Sequence, residues 1–159
     1  REIPSDWPYG IVPLGGTKPA KTAAEMEGGW TVDTISYALD AELVEWAYGL
    51  TRNIKVPVDE KLVEFRAQFS NHEAARQPPK VIIGDTLSAS TYWHGHYLNA
   101  WANDWVKLHS DQQANFATTN MEDSGTLTAL HRLARIGRVD ARRVLVLRTA
   151  SNFSVPVLN

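Results

Sequence analysis

The chain contains no cysteine. Disulfides and thiolate metal sites are therefore excluded, and the redox compartment is left open. It has no apolar run near the roughly 20 residues that a membrane-spanning helix needs. It also has little charge imbalance: Lys and Arg total 16 against 18 Asp and Glu, a net charge of −2. Nucleic-acid binding requires clustered cations to neutralise phosphates, and no such cluster stands out. The locally basic "RLARIGRVDARR" is interrupted by Asp140 and reads as a solvated helix end. An initiating methionine is lacking too, since the chain opens on "REIPSDWPYG". Any signal peptide would lie upstream of that segment.

Several catalytic signatures are missing as well. No G-x-S-x-G elbow of a serine hydrolase and no G-x-x-x-x-G-K phosphate loop occurs. "HGH" places His94 and His96 two apart, where helical side chains project in different directions instead of sharing one ion as an i, i+4 pair does. No metal site is expected, and no cofactor.

What is present suits one globular domain: 159 residues, 43% hydrophobic and 21% charged. Residues 1–32 hold Pro4, Pro8, Pro13 and Pro19 among several glycines, and read as a long irregular segment. Such loops exceed the usual ~12–15 residues, which suggests a piece continuing from an amino-terminal half. "SVPVLN" at the other end follows a strand with no closing helix. Residues 33–159 then form the carboxyl-terminal part of one α/β domain.

Within that part the spacing of Ile35, Leu39, Leu43, Ala47 and Leu50 predicts a helix, with Asp33 or Thr34 as N-cap. Asp59 is expected to cap a second helix, "EKLVEFRAQFS", whose Leu62, Phe65 and Phe69 share a face. "KVIIG", "NFATT" and "RVLVLRTA" read as strands. Trp93, Tyr97, Trp101 and Trp105 recur every four residues and form one helical stripe. "SGTLTALHRLARIG" is a further helix, with Leu127, Leu130 and Leu133 inward and Gly137 at its C-terminal stop. Apolar strands alternating with helices imply a parallel sheet covered on both faces, with ligands beyond the carboxyl ends of its strands. "GDTLSAS" and "TASN" occupy such ends. In "NMEDSG", Asp123 is best read as a helix-capping acid, whereas Glu122 is placed to point into a cleft and accept hydroxyl hydrogen bonds. Most of the tryptophan stripe reads as core; Tyr92 or Trp93, next to a strand end, could stack on a planar base.

"VIIGDTLSASTYWHG", "NMEDSGTL" and "VLVLRTASNF", in this order, resemble the purine nucleoside permease family, and "REIPSDWPYG" resembles a segment in the middle of its members. More distantly, the three blocks are similar to the nucleoside phosphorylase and nucleosidase superfamily. That resemblance implies a three-layer phosphorylase-like fold, with a mainly parallel or mixed central sheet flanked by helices. It implies that Leu87, Ser88 and Trp93 line the base, that Met121 and Glu122 bind the ribose, and that Ser151 and Asn152 hold the purine. Catalysis, if present, would fall to Glu122 and Asn152. The superfamily's Asp-using branch has Asp where Asn152 stands; an amide can hydrogen-bond to a leaving base but cannot protonate it. The implied partners are a purine nucleoside, the amino-terminal half and further copies of the protein. The expected activity is cleavage of the N-glycosidic bond, by phosphorolysis with phosphate as co-substrate or by hydrolysis; the alternative is capture outside the cytoplasm for uptake without chemistry.

Overall fold

The computed structural model describes residues 4–27 and 36–157. Its regular elements in chain order are α1 (Ala23–Glu27), α2 (Ala41–Thr51), α3 (Glu60–Ala67), α4 (Glu73–Arg76), β1 (Asp85–Ser88), α5 (His96–His109), β2 (Phe116–Asn120) and α6 (Asp123–Arg135), followed by a 3₁₀ turn at Ala141–Arg143. The architecture is mixed α/β around a parallel two-stranded sheet.

Helix starts follow from side-chain capping. Asp40 accepts the Leu43 backbone N–H at 2.9 Å and opens α2, while Asp59 accepts that of Leu62 at 2.8 Å and opens α3. The second cap is the expected one. The first moves the helix start later than the spacing predicts, and Asp33 and Thr34 lie outside the described residues. At its C-terminal end α6 closes through Gly137, whose φ of +71° only glycine adopts at little cost. Gly137 N–H donates to Ala134 O and Arg138 N–H to Leu133 O, both at 2.9 Å, the paired bonds of a Schellman stop.

The sheet joins β1 to β2 with Ser88 opposite Asn120, so both carboxyl ends fall on one edge. The register slips between Asp85 and Thr86, leaving Ala117 as the extra residue. There the strands approach closely: a Cβ on Gly84 would lie 2.5 Å from the Cβ of Ala117. Helix α5 connects the strands and covers one face, where Leu87, Ala102 and Val106 form a buried cluster flanked by Trp93, Trp105 and Phe116. Ala102 is wholly buried, and its small side chain lets the helix lie close to the strands.

Helix α5 also carries a second cluster on another side. Tyr9, Ile11, Ala20 and Met26 pack with Leu108, and Trp105 touches this group too. Residues 4–22 carry no regular element and α1 follows them, yet the stretch is docked. Ala20 N–H bonds to Ile11 O at 2.8 Å, and Ala23 N–H bonds to Asp111 Oδ1 at 3.0 Å.

Several expectations need correction. "KVIIG" is not the strand: pairing begins at Asp85, directly after it, and Ile82 and Ile83 are exposed. "RVLVLRTA" forms no strand, because among the described residues no neighbouring chain offers it a ladder. Its Val144 and Val146 are half-buried while Leu145 and Leu147 face solvent, an alternation suited to a strand with apolar residues on both sides. Tyr97 leaves the aromatic stripe and is 73% exposed, and α5 starts after Trp93 and His94, so those two are not helical. In α6 Leu127 is buried as expected, but Leu133 is exposed. The three-layer arrangement does not appear among the described residues, whose only sheet is the β1–β2 pair.

Candidate functional site at the strand ends

The carboxyl edge of the sheet is tied together by short polar side chains. Thr86 Oγ1 donates to Thr118 O at 3.0 Å, and Asn120 Nδ2 donates to Thr86 Oγ1 at 2.9 Å. Asn120 then caps the start of α6: its Oδ1 accepts from Glu122 N at 3.1 Å and from Asp123 N at 3.0 Å. Ser88, at the end of β1, accepts the Ser124 N–H at 2.9 Å, and its hydroxyl lies 3.2 Å from that of Ser124. The two strand ends and the first turn of α6 therefore form one rigid corner.

Asp123 is buried, and three donors converge on it. Asn120 Nδ2 reaches Oδ2 at 2.8 Å, Arg148 Nε reaches the same oxygen at 3.1 Å, and Arg148 Nη2 bonds to Oδ1. This forked pairing suits a guanidinium and a carboxylate. Arg148 Nη2 also reaches Glu122 Oε2 at 3.2 Å. The hydrogen bond that Arg148 donates to Asp123 is the largest cause holding the Arg148 pKa above its ordinary value, with the charges of Asp123 and Glu122 adding to it. Since that raised value only extends an already high one, the pair keeps its cation below the unfolded-state pKa, that is, through the whole neutral range.

Glu122 itself stands at the edge with its side chain 69% exposed. Its Oε2 takes the Arg148 bond and one from Met121 N at 3.3 Å. Among the described residues no donor reaches Oε1. Met121 beside it is half exposed. The corner is thus an open shelf, with an exposed carboxylate beside an ion pair of which Asp123 is buried and the Arg148 side chain 35% exposed.

The last segment is pinned on both sides of "TASN". Arg148 holds it to α6. Ser154 holds it to α5: its carbonyl accepts Gly95 N–H and Asn99 Nδ2, each at 2.7 Å, and its hydroxyl donates to Asn99 Oδ1 at 2.6 Å. Gly95 sits at φ +98°, a conformation that glycine permits. Phe153 packs on Phe69 and Phe65, with ring centroids 4.4 and 6.3 Å away. Between these anchors Ser151 and Asn152 are exposed and hydrogen-bond locally, Ser151 Oγ to Asn152 Oδ1 and Asn152 Nδ2 to Phe153 O, each at 3.0 Å.

The structure therefore brings Ser88, Met121 and Glu122 to one edge, with Leu87 buried beneath. Ser151 and Asn152 lie on a strap spanning from α6 to α5. Trp93 is stacked on Trp101 at 5.2 Å and 6°, so one face of its indole is occupied, and its buried Nε1 finds no acceptor among the described residues. Tyr92 is more exposed and stacks on His94. Sequence reasoning missed Asn120, Ser124 and Arg148. Asn120 and Ser124 are signalled by lying at a strand end and a helix start, whereas Arg148, in an extended segment outside any regular element, has no such signal. Among the described residues no group of three or more His, Asp or Glu side chains is placed to hold a metal, and no helix is long and apolar enough to cross a membrane.

The family model described as purine nucleoside permease matches residues 1–159. A purine nucleoside permease of Candida albicans is 32% identical over 151 residues, which is 95% of this chain and 36% of the relative. A probable purine nucleoside permease of Schizosaccharomyces pombe is 30% identical over 117 residues, covering 74% of this chain and 33% of the relative. The chain thus spans about a third of the length of these curated relatives. No solved structure matches it. With every residue covered by one family description, the chain belongs to the purine nucleoside permease family.

Proposed function

We propose that this chain supplies part of a nucleoside-binding surface through which a longer permease-family protein captures purine nucleosides for uptake. The whole-chain family match carries the reading. The geometry suggests where the ligand sits: parallel strands end together, and Glu122 offers an outward oxygen there. In this reading Glu122 accepts ribose hydroxyls, with Met121 beside it. Ser88 and Leu87 border the base, Ser151 and Asn152 hydrogen-bond to its edge, and the aromatic pair Tyr92–Trp93 flanks it.

Capture takes precedence over cleavage because the relatives' names speak of permeases and none speaks of a glycosidic bond being broken. Exposed apolar side chains on α2 and along residues 144–147 support a working form in which more polypeptide, the amino-terminal half or further copies, covers them and completes a three-layer sheet. An extracytoplasmic location would suit capture.

The test is equilibrium binding of inosine, adenosine and guanosine to the full-length protein, followed by chromatography of each mixture with and without phosphate. Binding with intact nucleoside supports capture. Free base with ribose 1-phosphate, or with ribose, replaces capture by phosphorolysis or hydrolysis. Absence of binding removes the reading altogether.

A further inference from the structure

We propose that Arg148 is a positioning residue for nucleoside recognition: it orients the Glu122 carboxylate so that one oxygen is presented to the ribose hydroxyls. The inference rests on the binding surface proposed above and adds the device that makes it selective for a ribonucleoside.

The geometry is specific to a guanidinium. Nε and Nη2 of Arg148 form a fork on the buried Asp123, and Asn120 fixes the same carboxylate from the other side. Asn120 in turn is held by Thr86 of β1 and caps α6. The guanidinium therefore has a set position and orientation before it touches Glu122. From there Nη2 reaches Glu122 Oε2 at 3.2 Å, and the Met121 N–H bonds to the same oxygen at 3.3 Å. Two donors on Oε2 and none among the described residues on Oε1 leave Oε1 as the acceptor facing outward. An exposed glutamate otherwise samples several rotamers, and a ligand that orders it must offset that freedom. Arg148 removes much of this cost in advance. Lysine could neutralise Asp123 but, as a single point charge, could not span both carboxylates with a planar fork.

The experiment compares the Kd of inosine and 2′-deoxyinosine for the full-length protein and for Arg148→Gln and Arg148→Lys. The natural protein is expected to prefer inosine, by about tenfold for one hydrogen bond to a charged acceptor. Arg148→Gln should bring the two affinities together, weakening inosine more than 2′-deoxyinosine, which keeps only the 3′ hydroxyl of the ribose pair. Arg148→Lys should retain the fold through its charge and still lose most of the preference, so it serves as the test if Arg148→Gln does not fold. Equal weakening for both ligands in either variant would mean a purely structural arginine and overturn the proposal, as would a preference that survives both substitutions. A natural protein that binds both ligands equally overturns the positioning role while leaving nucleoside capture standing. No binding of either ligand overturns both.

Discussion

Asn120 and Arg148 show how single side chains assemble the strand-end corner. Asn120 uses its amide at both ends, donating to Thr86 and Asp123 and accepting two backbone N–H groups, so nearly all its hydrogen-bonding capacity is spent on architecture. Gly84 shows the opposite economy, contributing only the absence of a side chain. Because Ala117 bulges toward it, Gly84→Ala would force two rigid Cβ atoms to 2.5 Å, and the strands must part. Destabilisation of about 1–3 kcal/mol is expected from such overpacking. In denaturant unfolding, the Gly84→Ala/Ala117→Gly pair should recover most of that loss, and additive losses would rule out the contact as the cause.

At the level of elements, α2 and α3 bury no residue, so their caps carry an unusual share of their stability. Asp59→Ala removes the bond to Leu62 N and should cost α3 about 1 kcal/mol. Hydrogen exchange of the α3 amides should then accelerate roughly fivefold while that of α5 stays unchanged. An unchanged rate in α3 would show that its contacts with α4, including the Arg66 Nε bond to Ala75 O, already suffice.

The elements also show what could be read in advance and why. Helices α3, α5 and α6 were legible because periodicity and caps are local signals, and the parallel pairing followed from strands separated by a helix. The strand in "KVIIGDTLS" was displaced because hydropathy marks apolar residues, whereas a ladder forms wherever a neighbour supplies donors and acceptors. Thr86 and Ser88 pair with β2 while Ile82 and Ile83 do not. Around the candidate site, the polar strand end at Ser88 and the acidic pair Glu122–Asp123 stood out. The ion pair of Arg148 with Asp123 did not, because a contact between residues 25 apart in sequence leaves no periodic trace.

For the whole molecule, the distribution of apolar surface is the main energetic fact. Trp46, Leu50, Ile54, Ile82 and Leu147 are each more than half exposed, while the two buried clusters are small and both depend on α5. Surfaces of this kind are usually covered by more protein. The 159-residue chain alone is therefore expected to self-associate and to bind a hydrophobic dye, and a longer polypeptide of the kind proposed above to do neither through these residues. Sedimentation and dye titration of both would check this. A monomeric chain that unfolds cooperatively and ignores the dye would show that the exposed groups need no cover.

The row of indoles has an optical consequence. Trp93, Trp101 and Trp105 are stacked at 5.2 and 4.9 Å and within 20° of parallel, and His109 continues the row. Rings this close share their electronic excitation, so light absorbed by one migrates along the row before it is emitted. The row runs along α5 from beside the strand ends to the packing of the proline-rich segment, with Trp93 at one end and Trp105 in contact with both buried clusters. Emission from these three of the chain's six tryptophans consequently responds both to the candidate site and to the docking of residues 9–26, without an added label.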